Sequence, residues 1–355
     1  MHVQLDDYRI VLNNWNAVRE LLRERAYASV FVLTDENTHR DCLPLLRRQL
    51  SGVAFTVFTV PPGEQNKHLD TCEQIWSHLL RARAGRRSLL INLGGGVLTD
   101  MGGFCAASWK RGMYFLQMPT TLLSMVDASI GGKLGVDFRG IKNSIGTFAN
   151  PEMVFIDPVF LQTLPPEEVR SGFAEIVKHA LIDDAEQWAD LQQIEDLTNV
   201  EWTDWLVRSL SVKKRIVEAD PYERGLRKAL NFGHTIGHAV EGYALDHGLA
   251  LLHGEAVALG MICESWLSHR AGRLSAVELE RIVAFIDRVY PRFPFTETIF
   301  DNLLDRMRQD KKNEGDEINF TFVGPAGRCH INQTVSVGDI EQSLRWYLKL
   351  TEAAA

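Results

Sequence analysis

The chain has 355 residues, 45% hydrophobic and 24% charged, with a formal net charge of −8. That length supports a core without staples and sets a prior of two domains, and the acidic balance excludes nucleic acid and anionic membrane surfaces as partners. Five scattered cysteines (Cys42, Cys72, Cys105, Cys263 and Cys329) with no CxxC exclude a disulfide framework and a thiolate metal site and fit a reducing compartment.

The opening residues, MHVQLDDYRI, lack a basic region followed by an apolar stretch, so no signal peptide is expected and the chain reads as cytoplasmic. No uncharged apolar run approaches membrane-spanning length. Strands are expected at 29–34 (SVFVLT), 55–60 (FTVFTV), 88–93 (SLLINL), 114–118 and 153–156, with polar, helix-length segments between the first three. Alternation of this kind predicts a largely parallel sheet with helical crossovers, whose ligands bind at the carboxyl ends of the strands.

Three strand ends carry chemistry. Asp35 closes the first, where a carboxylate can accept hydrogen bonds from ribose hydroxyls. The run Pro62-Gly63-Glu64-Gln65-Asn66-Lys67 follows the second. Either segment alone is more often a plain turn or a helix cap. Gly94-Gly95-Gly96-Val97-Leu98-Thr99-Asp100 follows the third and precedes a helix at 101–109. Strand, glycines and helix let backbone N–H groups approach a pyrophosphate. This is not GxGxxG, and a tight turn with no ligand remains an equal reading.

From Pro165 onward the apolar spacing predicts helices at 167–181, 204–219, 227–245, 255–269 and 276–290, then a lone strand at 318–323 and a frayed TEAAA tail. The fold class is therefore α/β plus all-α, with a boundary near Asp157-Pro158 separating 1–157 from 158–355.

Glu175 and Lys178 share a helical face, most simply as a surface ion pair. His234 and His238 lie four apart and His253 follows in LHGEAV. Two histidines and a carboxylate with an open position are a common catalytic zinc set. His247 competes with His253 on composition, and His253 is preferred because it opens a helix that can orient its ring. Basic residues accumulate at Arg111, Lys133, Lys142, Lys178, Lys213, Arg227, Lys311 and Lys312. Several adjoin glycines or small polar residues, a context that suits phosphate and carboxylate contacts from loops, although solvated surface charge accounts for such residues as well.

Taken together, the segments Gly94–Asp100, Lys110-Arg111-Gly112, Pro119-Thr120-Thr121-Leu122-Leu123, Val126-Asp127, Gly131-Gly132-Lys133, Lys142-Asn143, Ile145-Gly146, Gly172-Phe173-Ala174-Glu175, Gly225-Leu226-Arg227, Leu230-Asn231, Gly233-His234, Gly237-His238, His253-Gly254-Glu255 and Asp310-Lys311-Lys312 resemble, in order, those of the 3-dehydroquinate synthase family. The resemblance covers about residues 35–323. It implies a Rossmann-like N-terminal unit, a helical C-terminal unit and a homodimer. Asp35, Glu64, Lys67, Gly95, Gly96, Val97, Asp100, Thr120, Thr121, Lys133, Lys142, Thr163 and Glu168 would then serve NAD. Glu175, His234 and His253 would hold zinc or cobalt. Asp127, Lys133, Asn143, Lys178, Lys213, Arg227, Asn231, His238 and Lys311 or Lys312 would meet a sugar-acid phosphate, with Arg111 reaching the neighbouring subunit's site.

The family reaction closes 3-deoxy-D-arabino-heptulosonate 7-phosphate into 3-dehydroquinate. It runs by transient oxidation at C5 by NAD, phosphate elimination, return of the hydride, ring opening and aldol addition. The resemblance gives His238 a proton relay, Lys133, Asn143, Lys178 and the partner's Arg111 the phosphate, and Arg227 the C1 carboxylate. The rival readings are a related cyclase acting on sedoheptulose 7-phosphate or glucose 6-phosphate, a metal-dependent polyol dehydrogenase, and an inactive NAD-binding regulator. A filled set of Lys213, Arg227, Asn231 and Lys311/Lys312 argues for a substrate with a carboxylate. The sequence further places Arg227, Asn231 and His234 on one helix, facing the same way.

Overall fold

In the computed structural model, which describes residues 2–4, 8–139, 141–309 and 317–354, the apolar runs of the first half become strands of one sheet. In chain order the strands are β1 (His2–Gln4), β2 (Arg9–Leu12), β3 (Val30–Asp35), β4 (Thr56–Val60), β5 (Leu89–Gly94), β6 (Tyr114–Pro119), β7 (Lys133–Phe138), β8 (Ile141–Phe148), β9 (Met153–Ile156), β10 (Asn319–Val323) and β11 (Cys329–Thr334). The main sheet runs β1-β2-β9-β6-β5-β3-β4. Every pairing in it is parallel except β1 with β2. Strand β5 is buried at all six positions, which is why it reads as a continuous apolar run rather than an alternating one. Its one polar residue, Asn92, donates to Gln117 Oε1 at 3.0 Å, and Gln117 donates to the Thr99 carbonyl at 2.8 Å. That chain ties two central strands to the helix Gly96–Ser108.

The chain divides into two compact units, Met1–Pro165 and Pro166–Ala355. The second is built from the helices Pro166–Asp183, Ala185–Leu191, Trp202–Ala219, His234–Asp246, His253–Arg270, Ala276–Val289, Phe300–Gln309 and Val337–Ala354. Ser275 starts one of these as the apolar periodicity requires: its hydroxyl accepts from Glu278 N and the Glu278 side chain reaches back, closing a capping box.

Four expectations are corrected. The helix expected at 227–245 is two pieces, a 3-10 segment Leu226–Asn231 and the helix His234–Asp246, because Gly233 takes φ +78° between them. The strand at 318–323 is not alone; β10 pairs antiparallel with β11. The tail is helical through Ala354. The basic segments around Lys133 and Lys142 are not loops but the antiparallel hairpin β7–β8. Only two of the eight residues of β8 are even half-buried, so no apolar alternation announced it. Strand β2 was also missed; four residues that open on Arg9 give too short a pattern.

Candidate functional site

In the helical unit, three helices deliver one cluster. Glu175 comes from Pro166–Asp183, His234 from the first turn of His234–Asp246, and His253 from the first turn of His253–Arg270. Glu175 Oε1 lies 3.4 Å from His234 Nε2 and 3.6 Å from His253 Nε2. It is fully buried and has no hydrogen-bond partner of its own. The other carboxylate oxygen is bonded to Lys178 Nζ, so the pair read as a surface ion pair is buried instead. Burial opposes the charge on Glu175, but the Lys178 ammonium and His234 hold its carboxyl well below the usual range.

Each imidazole has its far nitrogen occupied. His234 Nδ1 donates to the Phe232 carbonyl at 3.0 Å, and His253 Nδ1 lies 3.3 Å from Glu241 Oε2. Both rings therefore turn Nε2 toward Glu175, the nitrogen each would offer a metal. His234 is pushed below its ordinary pKa by burial and then by Lys178, which keeps it neutral. Burial also works against a charge on His253, but Glu241 and Glu175 outweigh it and raise the ring to about 10. His238 stands beside both, its ring centroid 4.9 Å from that of His234 and 5.7 Å from that of His253. His247 is exposed, stacked on Tyr243 and bonded to the Tyr243 carbonyl, outside the cluster.

Small residues make this convergence possible. A Cβ at Gly260 would stand 2.8 Å from both Gly233 C and Gly237 N, and one at Gly254 would stand 2.5 Å from Ser171 C. The glycines in GHTIGH and HGEAV are therefore contact points where backbones touch. Glu264, fully buried, accepts from Gly233 N at 2.7 Å and Ile236 N at 3.1 Å. It caps, from the neighbouring helix, the helix that His234 begins. Sequence reasoning missed Glu264 and Glu241; an acidic residue inside an apolar helical stretch was the available signal, as for Glu264 in MICESWL.

Arg227 is 2% exposed and its Nη1 donates to the Pro221 carbonyl at 2.6 Å. The Asp220 carboxylate gathers the backbone N–H groups of Arg224, Gly225 and Arg227, and burial opposes them, yet its pKa falls. Asn231 donates to Glu223 Oε1 at 3.0 Å, and Lys213 is buried in Trp202–Ala219. Glu168, in the first turn of Pro166–Asp183, is pushed up by burial and by Glu167 and Glu255. Lys311 and Lys312 lie outside the described residues.

In the α/β unit, β5 ends at Gly94 and the helix Gly96–Ser108 begins at once, with Gly95 as its N-cap. A Cβ on Gly94 would approach Leu98 Cβ to 2.8 Å and one on Gly95 would approach Thr121 Cγ2 to 3.0 Å. Internal packing thus already accounts for two of the three glycines, and Val97 is half-buried beside them. Asp100, one turn further, binds Lys67 Nζ at 2.6 Å. Burial pushes Asp100 up to about 6 against the pull of Lys67, and Asp100 in turn holds the buried Lys67 above its ordinary value, so both are charged at neutral pH. Lys142 Nζ lies 3.7 Å from Glu64 Oε1. Asp137 joins the two segments, its N–H donating to the Lys67 carbonyl and its carboxylate accepting from Asn143 N. Glu64, Lys67, Asp100, Lys142 and Asn143 are thereby one network.

Asp35 caps the helix Glu36–Asp41 by accepting from Thr38 N at 2.7 Å. Thr120 N–H donates to the Gly94 carbonyl, which sets it against the glycine turn, and Asp127 lies half-buried in the π turn Ser124–Ala128. Lys133 is exposed at the start of β7, and Thr163 is exposed at the end of the 3-10 segment Pro158–Thr163. Arg111 is exposed where Lys110, Arg111 and Gly112 take φ of 49°, 64° and 115°, a strained run for two residues with side chains. All five cysteines are free, and no helix among the described residues is long and apolar enough to cross a membrane.

A parallel α/β unit with a glycine turn, followed by a helical unit with a Glu–His–His cluster, defines a class of enzyme fold. The chain superimposes with a TM-score of 0.87 on 2-epi-5-epi-valiolone synthase from Streptomyces hygroscopicus, whose structure has NAD+ and Zn2+ bound, at 28% identity and 98% coverage of each chain. It superimposes at 0.86 on a 2-deoxy-scyllo-inosose synthase, which at 22% identity shows the fold alone. Within the class, the models for the N-terminal and C-terminal parts of 3-dehydroquinate synthase match residues 57–171 and 172–313. The 3-dehydroquinate synthase of Parabacteroides distasonis is 43% identical over 332 residues, 93% of this chain and 94% of that one. That of Campylobacter jejuni is 36% identical over 323 residues, 89% and 92%. The chain belongs to the 3-dehydroquinate synthase family.

Proposed function

We propose that the chain converts 3-deoxy-D-arabino-heptulosonate 7-phosphate to 3-dehydroquinate and phosphate, in the shikimate pathway, with NAD and a divalent zinc or cobalt ion. The observation that carries the metal is Glu175 Oε1, a buried oxygen without a hydrogen-bond partner that faces two imidazole nitrogens. A carboxylate and two histidines with their far nitrogens anchored fit such an ion, which would take the place of the proton that Glu175 and Glu241 otherwise favour on His253. When bound, the metal supplies Lewis acidity at a substrate oxygen and NAD supplies a reversible hydride acceptor.

The residues do the rest. Lys178 keeps Glu175 ionised, and with that carboxylate engaged by a cation its ammonium serves the anionic substrate. His238, beside both ligand histidines, carries the hydroxyl proton. Lys133 and Asn143 bind phosphate. Arg227, with Lys213, Asn231 and Lys311 or Lys312, takes the C1 carboxylate, and Asp127 orients a sugar hydroxyl. The glycine turn Gly95–Val97, with Asp35, Glu64, Lys67, Asp100, Thr120, Thr121, Lys142, Thr163 and Glu168, serves NAD. The five free thiols support a cytoplasmic setting.

Because oxidation is followed by return of the hydride, NAD turns over without net reduction. Phosphate release should proceed with no matching rise at the NADH absorbance band. One NADH accumulating per phosphate would identify a dehydrogenase instead.

The working unit in this proposal is a homodimer in which Arg111 completes the neighbouring site. An Arg111→Ala chain mixed with a Lys178→Ala chain should regain activity, since some heterodimers then hold one intact site. Verified heterodimers with no regained activity would restrict Arg111 to its own subunit or to neither site.

A further inference from the structure

We propose that Glu241 is a positioning residue for the reaction, fixing the ring of His253 so that its Nε2 is presented to the metal; this rests on the metal reading above. Glu241 lies on the helix His234–Asp246, seven residues after His234 and three after His238, so the helical repeat carries it to their face. It is 8% exposed, and its Oε2 stands 3.3 Å from His253 Nδ1. A carboxylate accepts, so Nδ1 carries a hydrogen toward Glu241, and Nε2, 3.6 Å from Glu175 Oε1, is the nitrogen left for a metal.

The two histidines are secured differently. His234 bonds to the Phe232 carbonyl two residues back in its own chain, an anchor no substitution removes. His253 is the first residue of its helix and its side chain is 25% exposed, so neither the backbone ladder nor tight packing sets its ring angle. Its anchor is a side chain from another helix. Losing an outer partner of this kind costs about 10- to 100-fold in metal affinity.

The test uses the full-length protein stripped with a chelator. Zinc affinity is measured by competition with a chromophoric chelator for wild type, Glu241→Gln and Glu241→Ala, with thermal melts of each apoprotein alongside. Both variants should bind zinc about 10- to 100-fold more weakly, while KM for the sugar phosphate at saturating metal stays near the wild-type value. The isosteric glutamine keeps the packing, so an unchanged apoprotein Tm with weakened zinc separates positioning from a purely structural role. Wild-type affinity in both variants, or a lowered Tm with unchanged affinity, would overturn the role of Glu241 alone. A wild-type protein that takes up no zinc would instead remove the metal reading and this inference with it.

Discussion

A His234→Ala chain is expected to lose its metal and, with it, turnover. The imidazole is one of two nitrogen donors aimed at Glu175 Oε1, and the remaining pair leaves an open, weakly held ion. Removing several kcal/mol of charge stabilisation corresponds to about a thousandfold or more in rate. Dialysis against a chelator should do the same to the wild-type protein, and zinc or cobalt should restore it. His238→Ala provides the contrast. That ring is close to both ligands, but the proposal gives it the proton, so the variant should retain metal and lose about 10²- to 10⁴-fold in kcat. Metal analysis beside kinetics reads the difference. A His238→Ala chain without metal would exchange the roles of His238 and Glu175, since His234, His238 and His253 also form a close trio.

The second large effect is expected at Arg227. Its guanidinium is almost wholly buried and its segment is organised by the Asp220 carboxylate. A guanidinium meets a carboxylate through two parallel hydrogen bonds, and truncating such a charged contact in a buried setting is expensive. Arg227→Ala should therefore remove about 2–5 kcal/mol from the binding of a carboxylate-bearing substrate, about thirty- to several-thousand-fold in kcat/KM. A substrate lacking the carboxylate should lose far less, so the gap between 3-deoxy-D-arabino-heptulosonate 7-phosphate and sedoheptulose 7-phosphate should narrow. Equal losses on both would assign Arg227 to holding the protein together. Arg227→Lys should recover only part, because an ammonium cannot make the bidentate contact.

The basis for that prediction moved between sequence and structure. Helical spacing put Arg227, Asn231 and His234 on one face, but Gly233 at φ +78° ends that continuity. Gly233 falls inside the helix expected at 227–245, and only the approach of Val257 and Met261 to it shows why the chain breaks there. Elements with an apolar period were legible to within a few residues, β9 to the residue. The hairpin β7–β8 was not, because its second strand is mostly exposed and offers no alternation. The residue types that gather around Glu175 were legible from GFAEIVK, GHTIGH and HGEAV. Their supports were not: Glu241 and Glu264 act across helices, and a single sequence carries no sign of which backbones meet.

The most direct test of the central claim is product analysis of the wild-type enzyme, with NAD and zinc present, on 3-deoxy-D-arabino-heptulosonate 7-phosphate and sedoheptulose 7-phosphate offered separately. The account predicts stoichiometric 3-dehydroquinate and phosphate from the first and poor turnover of the second. Preference for sedoheptulose 7-phosphate, or phosphate release from the first without a carbocyclic product, would contradict it.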